Sequence, residues 1–172
     1  MPAYDMTSAL RDKALLWSLG FASAADVVSA ACDVVSAGEG GMAMAMLAGV
    51  HHRWADEEAP ELMPDALAEV GMPFFPRGSQ AAKGAGLAQM AGRVLAGELK
   101  PRELTAWAHG VIGHDGGDIG QSLVSLDDQY QLAYAVAEDN GSEADTRDLD
   151  TEVMAGARRL IEHSLGDAEI IA

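Results

Sequence analysis

The segment HGVIGHDGGD, residues 109–118, gathers two histidines and two aspartates within ten positions. Imidazole nitrogens and carboxylate oxygens are ligands of zinc and other divalent ions, so His109, His114, Asp115 and Asp118 are the candidate metal set of this chain. Their spacing argues against chelation from one helix. Chelating histidine pairs stand four residues apart on one face, whereas His109 and His114 are five apart and diverge by about 140°. They could share an ion only if the helix ended between them, at Gly113. His109 falls opposite the apolar stripe Leu104, Trp107, Val111, which predicts a solvated side chain. His114, near a helix C-terminus, is stabilised as a cation by the macrodipole. The expectation is that these are structural or surface residues, with no metal, no cofactor and no catalytic group.

Other chemistry-bearing patterns are weaker. His51 and His52 are adjacent and point about 100° apart on a helix, which suits a capping or surface role beside Trp54. His163 reads as a dipole-compatible surface residue. KGAGLAQMAG, residues 83–92, lacks the Gly-Lys-Ser/Thr ending of a phosphate loop and reads as helix packing through small residues. In DNGSEADTRDLDTE, residues 139–152, an EF-hand would need glycine at Ala144 and glutamate at Asp150. No Gly-x-Ser-x-Gly elbow is present, and the single Cys32 excludes an internal disulfide framework.

The best interaction candidate is SLVSLDDQYQLAYAVAEDN, residues 122–140. Leu123 and Leu126 can face a core, while Asp127, Asp128, Glu138 and Asp139 form a negative strip around Tyr130 and Tyr134. Tyrosine joins apolar area to a hydrogen-bonding tip, and such rings among acids suit a basic protein partner. These six residues are the expected partner-binding set.

The elements that must position these residues are helices. Aromatic residues are few and β-branched residues never alternate with a period of two. Leu10, Ala14 and Trp17 mark a first helix that stops near Gly20. A second begins after Ser23, capped by Asp26, and carries Val27, Ala31, Val34 and Val35. A short Met-rich segment, 42–50, precedes a helix from Ala55 to Val70 that Pro60 and Pro64 confine or split. MPFFPRGS, residues 72–79, reads as a linker anchored by Phe74 and Phe75. Leu87, Met90, Val94 and Leu95 mark a helix ending near Gly97, and Pro101 opens another bearing Leu104, Trp107, Ala108, Val111 and Ile112. Leu123, Leu126, Tyr130 and Tyr134, and then Leu149, Val153, Leu160 and Ile161, mark the last two.

A shift of 77 positions lays Leu10 on Leu87, Ala14 on Ala91, Gly20 on Gly97, Asp26 on Glu103 and Val27 on Leu104. The expected fold is therefore all-α, a single compact bundle of about seven or eight helices with a weak internal duplication of helical hairpins. Its domain is 1–172, with halves 1–71 and 79–172 joined by the linker 72–78.

The net charge of −16 is uneven. Residues 1–50 carry −3, residues 51–100 carry −2 and residues 101–172 carry −11. Such a field repels nucleic acid and anionic membranes and steers in a basic partner. Acids among the first dozen residues and the absence of a long apolar run predict a cytoplasmic protein with neither leader nor span. The expected function is non-catalytic binding of a basic protein, in the manner of an inhibitor. This is an analogy with small, acidic, helical immunity proteins and rests on no diagnostic motif. One alternative is a homo-oligomeric scaffold or regulatory module joined through Met42–Met46 or Phe74–Phe75. Another is a metal-dependent enzyme at His109 and His114.

Overall fold

Glycine, serine and proline punctuation sets the helix ends. In the computed structural model, which describes residues 5–113 and 118–170 and all their side chains except those of 118–119 and 164–170, eight α-helices and one short 3₁₀ turn follow one another, with no strand among the described residues. They are α1 (Met6–Ser18), α2 (Ala24–Ser36), α3 (Met42–Ala48), the 3₁₀ turn His52–Trp54, α4 (Ala55–Glu69), α5 (Gln80–Leu95), α6 (Pro101–Ile112), α7 (Asp118–Asp139) and α8 (Arg147–Ile170). The expected all-α class is the class observed. No described helix is long and apolar enough to cross a membrane.

The chain divides into two compact units, residues 1–82 and 83–172. In the first, α1 to α4 surround Leu10, Trp17, Val27, Val34, Met44, Leu47, Met63 and Leu67. Ser23 caps α2 as its sequence predicts: its hydroxyl accepts from Asp26 N, and the Asp26 carboxylate accepts from Ser23 N at 2.8 Å. In α2 the apolar face is narrower than expected, since Val34 is fully buried while Val35 is 38% exposed.

Pro60 and Pro64 do not split α4, which runs unbroken from Ala55 to Glu69. Each proline removes one amide donor, from the carbonyls of Asp56 and Pro60. Asp56 is exposed and both prolines are half-buried, while Ala55, Ala59, Met63, Ala66 and Leu67 hold the helix in the core. Tertiary packing thus overrides a local helix breaker.

The segment 72–78 is tied to the first unit. The Phe74 ring stands 6.1 Å from that of Trp17, and the Arg77 guanidinium lies 5.8 Å from the same indole. Ser18 Oγ donates to the Phe75 carbonyl at 2.7 Å, and Gly78 N donates to Ser18 O at 2.8 Å. The boundary between the units accordingly falls beyond this segment, within α5.

In the second unit, Leu87, Ala91, Val94, Leu104, Ala108, Ile112, Leu123, Leu126, Tyr130, Val153 and Ala157 form the core. Pro101 occupies the first turn of α6, where its missing amide costs nothing. Of the small residues expected to bring α5 close to a neighbour, Ala91 is fully buried, but a Cβ at Gly84 or Gly92 would meet only open space.

Candidate functional site

Four polar side chains of the second unit converge where α6 packs on α7. Thr105 and His109 stand four residues apart on α6, and Asp127 and Gln131 four apart on α7, so each pair shares a helix face. Asp127 is the hub. Its carboxylate accepts from His109 Nδ1 at 2.9 Å and from Gln131 Nε2 at 2.9 Å, and the Thr105 hydroxyl, 2.9 Å from the Arg102 carbonyl, also lies 3.3 Å from it. Asp128 Oδ1 is 3.8 Å from the same imidazole nitrogen. Facing a carboxylate, Nδ1 carries a proton. Asp127 and Thr105 are buried, and among the described residues no buried side-chain polar atom lacks a partner. The network ties α6 to α7 around a buried carboxylate, and removing its donors would strand that charge.

This geometry corrects the expectation for His109. Its side chain is only 33% exposed and is hydrogen-bonded to Asp127 rather than solvated. Periodicity along α6 shows which side is apolar, but α7 covers part of the polar side as well. Of the remaining candidate ligands, His114 and Asp115 lie outside the described residues, as does the side chain of Asp118, whose backbone opens α7. Among the described residues, no three His, Cys, Asp or Glu side chains gather as ligands of an ion.

The expected partner strip on α7 is divided by the fold. Tyr130 is fully buried and Asp127 nearly so; neither offers surface to a partner. Tyr130 sits in the core with its hydroxyl donating to Asp150 Oδ1 at 2.5 Å, while Thr146 Oγ1 donates to the other oxygen of that carboxylate at 3.5 Å. Burial, and then the bond to Asp150, push the ionisation of the Tyr130 phenol well above its ordinary range. Asp128, Tyr134, Glu138 and Asp139 remain on the surface, and the Arg102 guanidinium lies 4.2 Å from the Tyr134 ring.

Two further exposed residues of α7, on the face of Asp128 and Asp139, were not singled out from the sequence. Leu132 is 65% exposed and Val136 50% exposed, one turn apart. Leu132 lies two residues beyond Tyr130 and so about 200° around the helix from it. The signal was present in QLAYAVA as a second apolar stripe. With Ala133, Ala144 and Leu149 they line an open groove of about 420 Å³, which Glu143 and Asp145 border.

The first unit's polar residues act as caps and ties. The Glu69 carboxylate accepts from the amides of Gly41, Ala43 and Met44 at 2.8–2.9 Å, closing the start of α3. These bonds hold its carboxyl below the usual range. A Cβ at Gly41 would lie 2.8 Å from a Glu69 oxygen, so the clamp requires glycine there. His51 Nδ1 accepts from Arg53 N at 3.1 Å, a cap, and His52 Nε2 lies 3.3 Å from Ser29 Oγ. Cys32 is exposed, its thiol 3.3 Å from the Ala48 carbonyl. Met42 and Met46 are exposed around the fully buried Met44. No protein-family model matches this chain, and it matches no curated protein and no solved structure.

Proposed function

We propose that this chain is a non-catalytic binding protein whose acidic surface on α7 takes a basic protein partner and thereby inhibits or regulates it. The observation that carries this reading is the exposure of Leu132 and Val136 on the face of α7 that also carries the exposed Asp128 and Asp139. Apolar area bordered by one sign of charge suits recognition of a partner of the opposite sign. The His109–Asp127 pair is accounted for as a tie between α6 and α7 and is not needed for chemistry.

Capture of partners from native cells, eluted by rising salt, supplies the protein for the test. Charge reversal at Asp128, Glu138 and Asp139 together should then slow association about tenfold or more at low salt and flatten its salt dependence. An unchanged on-rate would remove the reading. Asp127 is kept intact, because its burial makes reversal there a test of folding.

A second reading has one observation in its favour. Met42 and Met46, exposed one turn apart on α3, suit a homo-oligomeric contact. Sedimentation of an oligomer that Met42→Glu with Met46→Glu dissociates would favour it.

A further inference from the structure

The geometry points to a specific occupant for the groove of Leu132, Val136 and Leu149: a basic amphipathic helix of the partner, apolar face inward. This rests on the reading above and goes further, because it assigns the affinity to apolar anchors and to one class of secondary structure.

Helix α7 is apolar on two faces. One, with Leu123, Leu126 and Tyr130, fills the core of the second unit. The other, with Leu132, Ala133 and Val136, lines the groove and leaves its two large residues half or more exposed. A contiguous exposed apolar stripe on a second face of a helix suits coverage by another surface. From Gln129 to Val136 the stripe runs about 10 Å along the axis, two helical turns, the span of the i, i+3/i+4 and i+7 anchors of a helix lying in a groove. No strand edge exists among the described residues for a peptide to extend, so recognition here is led by side chains.

Charge selects the occupant. Residues 127–152 contain nine acidic side chains and one basic one, Arg147. That arginine is already paired with Asp145, at 2.6 and 2.9 Å. A second copy of this chain would bring the same acidic border and a further −16 against it. A helix with lysine or arginine flanking its apolar face satisfies both the groove and the border.

The test uses the full chain and two synthetic peptides of roughly 18 residues, long enough to form a helix. One places its leucines on a single face with lysines elsewhere. The other permutes the same residues so that no face is apolar. The segregated peptide should bind about tenfold tighter, the worth of burying one or two large apolar side chains. Leu132→Glu with Val136→Glu should abolish that preference, Leu132→Ala with Val136→Ala should reduce it, and Met42→Glu with Met46→Glu should leave it intact. Circular dichroism shows whether each variant retains its helix content, and the alanine pair decides if the glutamate pair does not.

Equal binding of the two peptides would overturn the groove while leaving the acidic-surface reading standing. Failure of both to bind at low salt would overturn both. A dimer of the unaltered chain that Leu132→Glu dissociates would overturn it in favour of a second copy.

Discussion

The hairpin α1–α2 of the first unit and the hairpin α5–α6 of the second share one backbone plan but hold different interiors. Helices α1 and α5 end at Ser18 and Leu95, and α2 and α6 begin at Ala24 and Pro101, each 77 positions apart. Between them the hydrogen bonds repeat one for one. Gly20 N donates to Trp17 O and Gly97 N to Val94 O; Phe21 N and Ala22 N donate to Leu16 O, as Glu98 N and Leu99 N donate to Arg93 O. Asp26 and Glu103 return their carboxylates to the amides of Ser23 and Lys100. Yet Val28 and Cys32 of α2 stand where α6 has Thr105 and His109, and Val50 stands where α7 has Asp127. The first unit buries Val28 and Val50 in this region, leaves Cys32 exposed with its thiol against the Ala48 carbonyl, and ends α3 at Ala48. The second closes it with a carboxylate and its donors, along a helix that continues to Asp139. The lesson is that a turn and its caps fix a hairpin, whereas the contents of the neighbouring layer are free to differ.

The largest effect that would break this contrast concerns Asp127. Asp127→Val leaves the donors of His109 and Gln131 without their acceptor, while Thr105 keeps the Arg102 carbonyl, and should cost about 2–4 kcal/mol in denaturant unfolding. Adding Thr105→Val and His109→Cys, which brings all three positions to the residues at the shifted places in the first unit, should recover much of that loss. A single variant within about 0.5 kcal/mol of the parent would show that the network contributes little.

The shared turn is sharpened next. Gly20 and Gly97 have φ of 84° and 76°, and a Cβ at either meets no neighbour, so only backbone strain is at issue. Gly20→Ala and Gly97→Ala should each cost about 1 kcal/mol and agree within a few tenths. A clear inequality between them would mean that the two turns are not equivalent.

Tyr130→Phe should cost about 1 kcal/mol by removing the bond to Asp150. Because the folded protein holds this phenol above its unfolded value of about 10, Tyr130 contributes stability that is complete below that pH and is lost as pH rises toward the folded value. Spectroscopic titration of phenolate should show a late component that Tyr130→Phe removes.

The smallest effect lies in the first unit. Glu69 has a lowered pKa when folded, so its contribution is present above the unfolded value near 4.3 and is lost as pH falls through the lower folded one. Glu69→Gln should flatten the acid limb of the stability profile below about pH 4.5. An unaltered acid limb would show that the α3 clamp does not depend on charge.

Much of this fold is legible in the chain because helix ends are local. Ser23 and Asp26, Pro101, Gly20 and Gly97 act within one turn of themselves, and the structure places helix boundaries where they predict. The candidate site was less legible. Periodicity separated the apolar side of α7 from the rest, but its polar members, Asp127 and Tyr130, turn inward to partners on other helices. The exposed stripe of Leu132 and Val136 could have been found by asking whether α7 has one apolar face or two.

The sequence by itself determined the helical class, the caps and the turns, since these depend on residues three to five positions apart. The tertiary structure alone decided that His109 meets Asp127 eighteen residues on, that Tyr130 meets Asp150, and that Glu69 reaches back to Gly41. It also decided that α4 passes through two prolines and that α7 leaves Leu132 and Val136 uncovered. Each of these depends on which helix face lies against which neighbour, a property of packing that no period within a single helix contains.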